Sequence, residues 1–198
     1  AVVGNTHSVV APGLDIQLSA TPSSQTYVQG STDKPLVGFS FRATADNIRI
    51  DQIVVSSTAS TGTLGAGEVQ NLALYDGATR ISDFKSLDTS TFKATFSNLN
   101  YTIAKGVTKV ITLRGSIATD ASNNDVYYFS LIATTDVTTY DSEGNSVTNT
   151  GIAANNGGTV KVTIASVGDV TIVKAPDDFD SEAGIVIAGT EVVLGKYR

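Results

Sequence analysis

Cysteine, methionine and tryptophan are absent from the 198 residues, and histidine occurs once. Without cysteine the chain forms no disulfide, holds no thiolate-bound metal and has no cysteine nucleophile. His7, the lone histidine, rules out paired-histidine metal motifs. A Ser-His-Asp triad would depend on this one residue near a terminus, and triads need a buried, oriented base, so a surface or linker position is expected for it. An open reading frame begins with methionine, so its absence points to a processed product, such as one cut after a signal peptide, or to a piece of something longer. Residues 1–6, AVVGNT, are not a charged region followed by an apolar signal core. Basic excess is also missing: 13 Lys and Arg stand against 19 Asp and Glu, for a net charge of −6. Nucleic acid and anionic membrane surfaces both call for a basic face. No apolar run approaches the ~20 residues that span a bilayer. Secretion to the cell surface or beyond fits this set of absences best.

What is present is a globular composition, 41% hydrophobic, in a chain long enough to bury a core without staples. Alternation of period two dominates. Leu14, Ile16, Leu18 and Ala20 share a face, as do Val37, Phe39 and Phe41. The stretch 48–55 changes parity between Ile48/Ile50 and Ile53/Val55, which predicts a bulge near Asp51-Gln52. Residues 56–68, SSTASTGTLGAGE, read as a loop. Tyr75-Asp76-Gly77 between alternating runs reads as a tight hairpin. Phe92, Ala94 and Phe96 form one face of 91–97. Tyr101 and Ile103 precede a Lys105-Gly106 turn. Ile111, Leu113 and Ile117 point inward on 108–118, and on 126–133 Tyr127, Phe129, Leu131 and Ala133 alternate with Tyr128, Ser130 and Ile132. Residues 135–158 read as a polar excursion before Val160, Val162 and Ile164. About nine or ten short strands rich in Thr, Val and Ile predict an all-β, antiparallel Ig-like β-sandwich.

The opening of this pattern recurs at the end of the chain. Asp15-Ile16-Gln17-Leu18 matches Asp169-Val170-Thr171-Ile172 and Pro22 matches Pro176, at one offset of 154 residues. Gly30-Ser31 has a counterpart in Gly189-Thr190, and Phe41-Arg42 in Tyr197-Arg198. Three segments are therefore expected: an N-terminal strand or linker over 1–12, a sandwich domain over 13–167, and a strand pair over 168–198 that repeats 14–42. Two strands alone are marginal in water and present an unpaired edge. The C-terminal pair can pack on its own unit, begin a next domain, or join a neighbouring subunit by strand addition. The residues expected at contacts between units are Val9, Val10, Val170, Ile172, Val193 and Tyr197.

The series LYDGATRI…TFKATFSNLNYTIAKGVTKVITLRGSIA, with its Gly-Thr-led apolar strands, resembles repeated Ig-like modules of large bacterial and archaeal cell-surface, S-layer-like and filament-forming proteins. The resemblance covers about 14–165 and part of 169–198. It implies structural display or assembly outside the cell and brings no catalytic residues with it.

No motif with a catalytic mechanism is present, and a non-enzymatic role is expected. Calcium is the cofactor to consider. Asp177, Asp178, Asp180 and Glu182 place four carboxylates within six residues of a loop, and hard oxygen donors suit that ion. Asp120, Asn123, Asn124 and Asp125 form a second acidic loop, and Asp141, Glu143 and Asn145 a third. None follows the D-x-[DN]-x-[DN]-G pattern, and Asp and Asn populate turns for backbone reasons in any case. Tyr127, Tyr128 and Tyr140 would make a sugar platform only if they shared a face, and alternation separates the first two. Asn100-Tyr101-Thr102 is a glycosylation sequon, and Ser/Thr-rich 55–63 is open to O-linked sugar. The leading expectation is a β-sandwich subunit or repeat unit that assembles head to tail with copies of itself into a surface filament, pilus or S-layer-like array. The alternative is an adhesion or carbohydrate-binding module of a larger secreted protein, meeting surface glycans through 120–125 and 135–158.

Overall fold

The computed structural model describes residues 10–62, 65–155 and 158–168. Apart from Val167 and Gly168 they belong to one compact unit ending at Ser166. The strands, in chain order, are β1 (Gly13–Leu18), β2 (Gln25–Val28), β3 (Lys34–Thr44), β4 (Ile48–Thr61), β5 (Val69–Asp76), β6 (Thr79–Arg80) and β7 (Lys93–Phe96). They continue with β8 (Tyr101–Ile103), β9 (Thr108–Ile117), β10 (Val126–Ser130), β11 (Val137–Tyr140), β12 (Asn149–Ile152) and β13 (Val162–Ala165). A single 3-10 turn, Thr134–Asp136, interrupts the described residues between β10 and β11. No helix among them is long and apolar enough to cross a membrane.

Two sheets face each other, one ordered β12-β1-β3-β9-β5-β6 and the other β11-β4-β10-β13-β2, with β7 and β8 also paired to β4. The expected all-β sandwich is therefore what the chain forms. Its core follows the alternation. Leu14, Ile16, Phe39, Phe41, Ile111 and Leu113 of the first sheet meet Ile50, Ile53, Val55, Phe96, Tyr127, Phe129, Val162 and Ile164 of the second in one continuous cluster. Each large side chain removed from water here contributes roughly 1.5–3 kcal/mol.

Irregularities in the ladders let these faces line up. Thr138 pairs with Gln52 and Thr139 with Ile50, which leaves Asp51 opposite no residue of β11. That is the bulge the parity change predicts, and the Asp51 carbonyl accepts the Leu99 amide at 3.0 Å instead. In β3 the register skips from Pro35 to Val37 against β9, so Leu36 and Val37 are both buried. In β5 it skips from Gln70 to Ala73 across Asn71, whose φ is 52°.

Four details differ from expectation. First, residues 56–61 are the end of β4, paired to β10, with Ser56 and Ser57 buried. This small, polar stretch is covered because it lies beside β10 on one side, while Lys93 of β7 pairs with Ser56 on the other. Secondly, the excursion 135–158 contains β11 and β12, and β2 lies between the Leu14–Ala20 and Val37–Phe41 runs, where the alternation indicates no strand. Thirdly, the pairs β1–β12 and β2–β13 are parallel in an otherwise antiparallel sandwich. Finally, the hairpin turn centres on Gly77-Ala78, because Asp76 pairs with Thr79.

Candidate functional site

Of the residues expected at contacts between units, Val10 is 65% exposed and in no strand. Val9, Val170, Ile172, Val193 and Tyr197 lie outside the described residues, as do His7 and the acidic set Asp177, Asp178, Asp180 and Glu182. Among the described residues no group of three or more His, Cys, Asp or Glu side chains converges.

The second acidic loop ties down β13. Asn123 Oδ1 accepts the Ser166 amide at 3.0 Å. Asn124, at φ 66°, donates its amide to Ile164 O, while the Ile164 amide returns to Asp125 O. The Asp125 side chain is 6% exposed, with Oδ2 buried and without a hydrogen bond. Nearby, Glu68 Oε1 accepts both the amide and hydroxyl of Ser122, at 3.1 and 2.7 Å. Tyr127 donates its hydroxyl to Glu68 Oε2. These bonds pin the 118–125 segment to the start of β5.

The third loop is a turn built on its own acid. Asp141 Oδ1 accepts the amides of Glu143 and Asn145, and those bonds, Asn145 first, hold its pKa below the usual carboxylate range. Asp46 is lowered in the same way, chiefly by Ser142, whose hydroxyl and amide both donate to Oδ2. A separate network joins strand ends. Tyr101 Oη donates to Asp76 Oδ2 at 2.7 Å, and Lys109 Nζ donates to the same oxygen at 3.0 Å. Asp76 is thereby lowered, first by Tyr101 and then by Lys109. Tyr101 is raised, first by burial and then by the carboxylate. All these carboxylates shape turns and strand ends.

Tyr127 is buried and Tyr128 half-buried, and Arg49 sits 5.1 Å from the Tyr140 ring centre, so the three tyrosines do not form a common platform. Asn100 of the sequon is exposed. Grooves lined by described residues include these two. One of about 370 Å³ is lined by Arg80, Asp83, Lys85 and Asn98. The other, of about 390 Å³, is lined by Thr134, Thr138, Val147 and Asn149. Arg80 caps the exposed Phe84 ring at 4.4 Å.

The sheet borders differ in kind. Beyond β11, the Val147 amide donates to Thr139 O at 3.1 Å, so that side of the strand is occupied. β6 is two residues long. β12 carries Gly151 at φ 70°, where a Cβ would stand 2.4 Å from Ile16 O, so this border strand is kinked. β2 is regular: Gln25 donates its amide to Lys161 O and Gln29 to Ala165 O, at 2.8 and 2.9 Å. By alternation the Thr26 and Val28 amides point away from the sheet. Sequence patterning missed β2 because QTYV has no apolar alternation; its one inward side chain, Tyr27, is held by a 2.7 Å bond to Pro35 O.

No protein-family model matches the chain. No curated protein matches it either. Similar solved structures include the sixth cohesin of scaffoldin B from Acetivibrio cellulolyticus, 14% identical with a TM-score of 0.33 over 80% of this chain and 100% of that one. The seventh type I cohesin from Pseudobacteroides cellulosolvens is 6% identical, at 0.31 over 81% and 96%. A non-cellulosomal cohesin from Archaeoglobus fulgidus is 12% identical, at 0.27 over 80% and 93%. At scores this low the likenesses carry no argument, and the fold rests on the strand pairings themselves.

Proposed function

We propose that this protein is an extracellular structural unit, a β-sandwich that joins further copies of itself head to tail at the cell surface. In this reading residues 169–198 enter or extend a neighbouring sandwich. One observation carries it. The strands that 169–198 repeats, β1 and β3, place Leu14, Ile16, Phe39 and Phe41 at 0–1% exposure in the core. In the second copy Ile16 and Phe41 fall on Val170 and Tyr197, while Leu14 and Phe39 fall on Gly168 and Gly195, so part of that apolar face is repeated and needs burial. The described core runs from Leu14 to Ile164. Apolar burial and strand pairing between units would supply the joining energy.

The test is removal of 169–198, with assembly followed by sedimentation and electron microscopy. The expected result is a folded monomer that no longer forms oligomers or filaments with itself. A truncated protein that still assembles would sink the proposal.

A further inference from the structure

Once β2 is recognised as a strand, the terminal repeat can be followed further. Gln25-Thr26-Tyr27-Val28-Gln29-Gly30-Ser31 falls on Gly184-Ile185-Val186-Ile187-Ala188-Gly189-Thr190, with Gly189 on Gly30. Only the glycine is identical between the two, and the change that bears on an edge is at the outward positions. Thr26, which is exposed, and Val28, which is 43% exposed, correspond to Ile185 and Ile187. A strand with isoleucine at both outward positions is a poor solvent-facing border, since it offers apolar surface next to open backbone groups.

The pairings of the described unit say which strand of such a copy lacks a partner. β1 pairs with β3 along Gly13–Leu18, so the copies of these two strands bring each other. Among the described residues β2 has one strand partner, β13, and β13 comes at the far end of the unit. Residues 169–198 contain counterparts of β1, β2 and β3 and none of β13. By this correspondence Ile185–Ala188, the counterpart of β2, is the run whose partner strand is not repeated within 169–198.

Among the described border strands β2 is the least blunted, although its outward Val28 carbonyl already accepts the Ser31 amide at 3.0 Å. Gln25–Gln29 holds no charge, proline or glycine, and no left-handed residue precedes Gly30. Its outward Thr26 and Val28 amides donate to no described acceptor. β12 is kinked at Gly151, β6 is two residues long, and the outer side of β11 is taken.

We propose that Ile185–Ala188 of one copy adds to the free edge of β2 in a second copy, extending the β13-containing sheet of its neighbour. The inference rests on the head-to-tail reading above and names the two surfaces that meet. The contact joins two different surfaces, so it does not close on itself. It propagates into a filament unless the rotation between copies happens to close a ring.

Three variants of the full chain test it: Thr26→Pro, which removes an outward amide; Val28→Lys, which charges the edge; and Ile187→Lys, which charges the donor. Each should weaken self-association by at least about tenfold, as edge charges and prolines do in natural sheets, while circular dichroism and melting of the unit stay close to the parent. Mixing Val28→Lys protein with Ile187→Glu protein should restore joining between the two. If truncation at 168 abolishes assembly but all three variants assemble normally, the edge assignment is wrong and the broader reading stands. If truncation has no effect, both fail. A full-length monomer whose Thr26 and Val28 amides resist hydrogen exchange would place the donor on its own unit and overturn the proposal.

Discussion

Gly38 sits where the segment after β1 crosses back over β3. The Ser19 amide donates to Gly38 O at 2.9 Å, and a Cβ on Gly38 would stand 2.1 Å from Thr21 O. The obstacle is backbone, so it cannot swing aside as a side-chain tip can. Gly38→Ala should lower stability by about 1–3 kcal/mol, the usual cost of overpacking, read from denaturant unfolding. Unchanged stability would mean that residues 19–22 shift freely. A second residue-scale effect concerns protons. Asp46, Asp76, Asp88 and Asp141 are each held below the usual value of 3.8 by hydrogen bonds. Carboxylates with depressed folded pKa values contribute stability above the unfolded value and lose it as pH falls through the folded one. Melting temperature should therefore hold from neutral pH to about 5 and fall steadily below about 4. Tyr101 and Tyr27 shift the other way, raised mainly by burial from 10.0. Their stability is complete below that value and is lost as pH rises beyond it. Asp76→Asn should cost less than about 1 kcal/mol at neutral pH, because its ion pair with Lys109 is solvent-screened, and should make the acid limb shallower. A melting temperature that stays level down to about pH 3 would contradict this account.

At the scale of elements, β1, β3, β9 and the inward face of β10 were legible because each buries one face and shows the other to water, which writes period two into the chain. β2, β11 and β12 were not, because polar side chains hold them through partners far away in sequence. Thr139 is 1% exposed, and its hydroxyl donates to Asn149 Oδ1 at 2.7 Å. Ser24 Oγ accepts the Lys161 amide at 2.9 Å beside the parallel β2–β13 pair. Local composition cannot foresee such pairs. The same blindness hid the candidate edge: QTYV looks like loop, and its pairing with β13 is what marks it as a strand. The Asp51 bulge was legible, and its role can be tested. Without that residue, β4 loses the register shift that turns both Ile48/Ile50 and Ile53/Val55 inward. Deleting Asp51 should drive one pair into solvent, since a one-residue slip exchanges the faces, and leave the protein unfolded or aggregated. A soluble deletion variant with native-like near-ultraviolet dichroism would show that the ladder absorbs the shift elsewhere.

For the whole molecule, the decisive property is how stability depends on concentration. The core cluster of the described unit draws on side chains from Leu14 to Ile164, so residues 1–168 should fold alone and melt in one cooperative transition. A partner that binds only the folded state raises apparent stability by mass action, and the gain grows with partner concentration. If 169–198 is donated to a neighbour, the full chain should show a Tm that climbs with protein concentration, whereas the truncated unit should show none of that climb. If the segment instead packs on its own unit, the full chain should be the more stable of the two at every concentration, by a constant margin. Differential scanning calorimetry of both proteins over a hundredfold range of concentration separates these cases without imaging any filament. It also covers the case in which assembly is too weak to survive dilution, because even a transient head-to-tail contact leaves its mark on the slope.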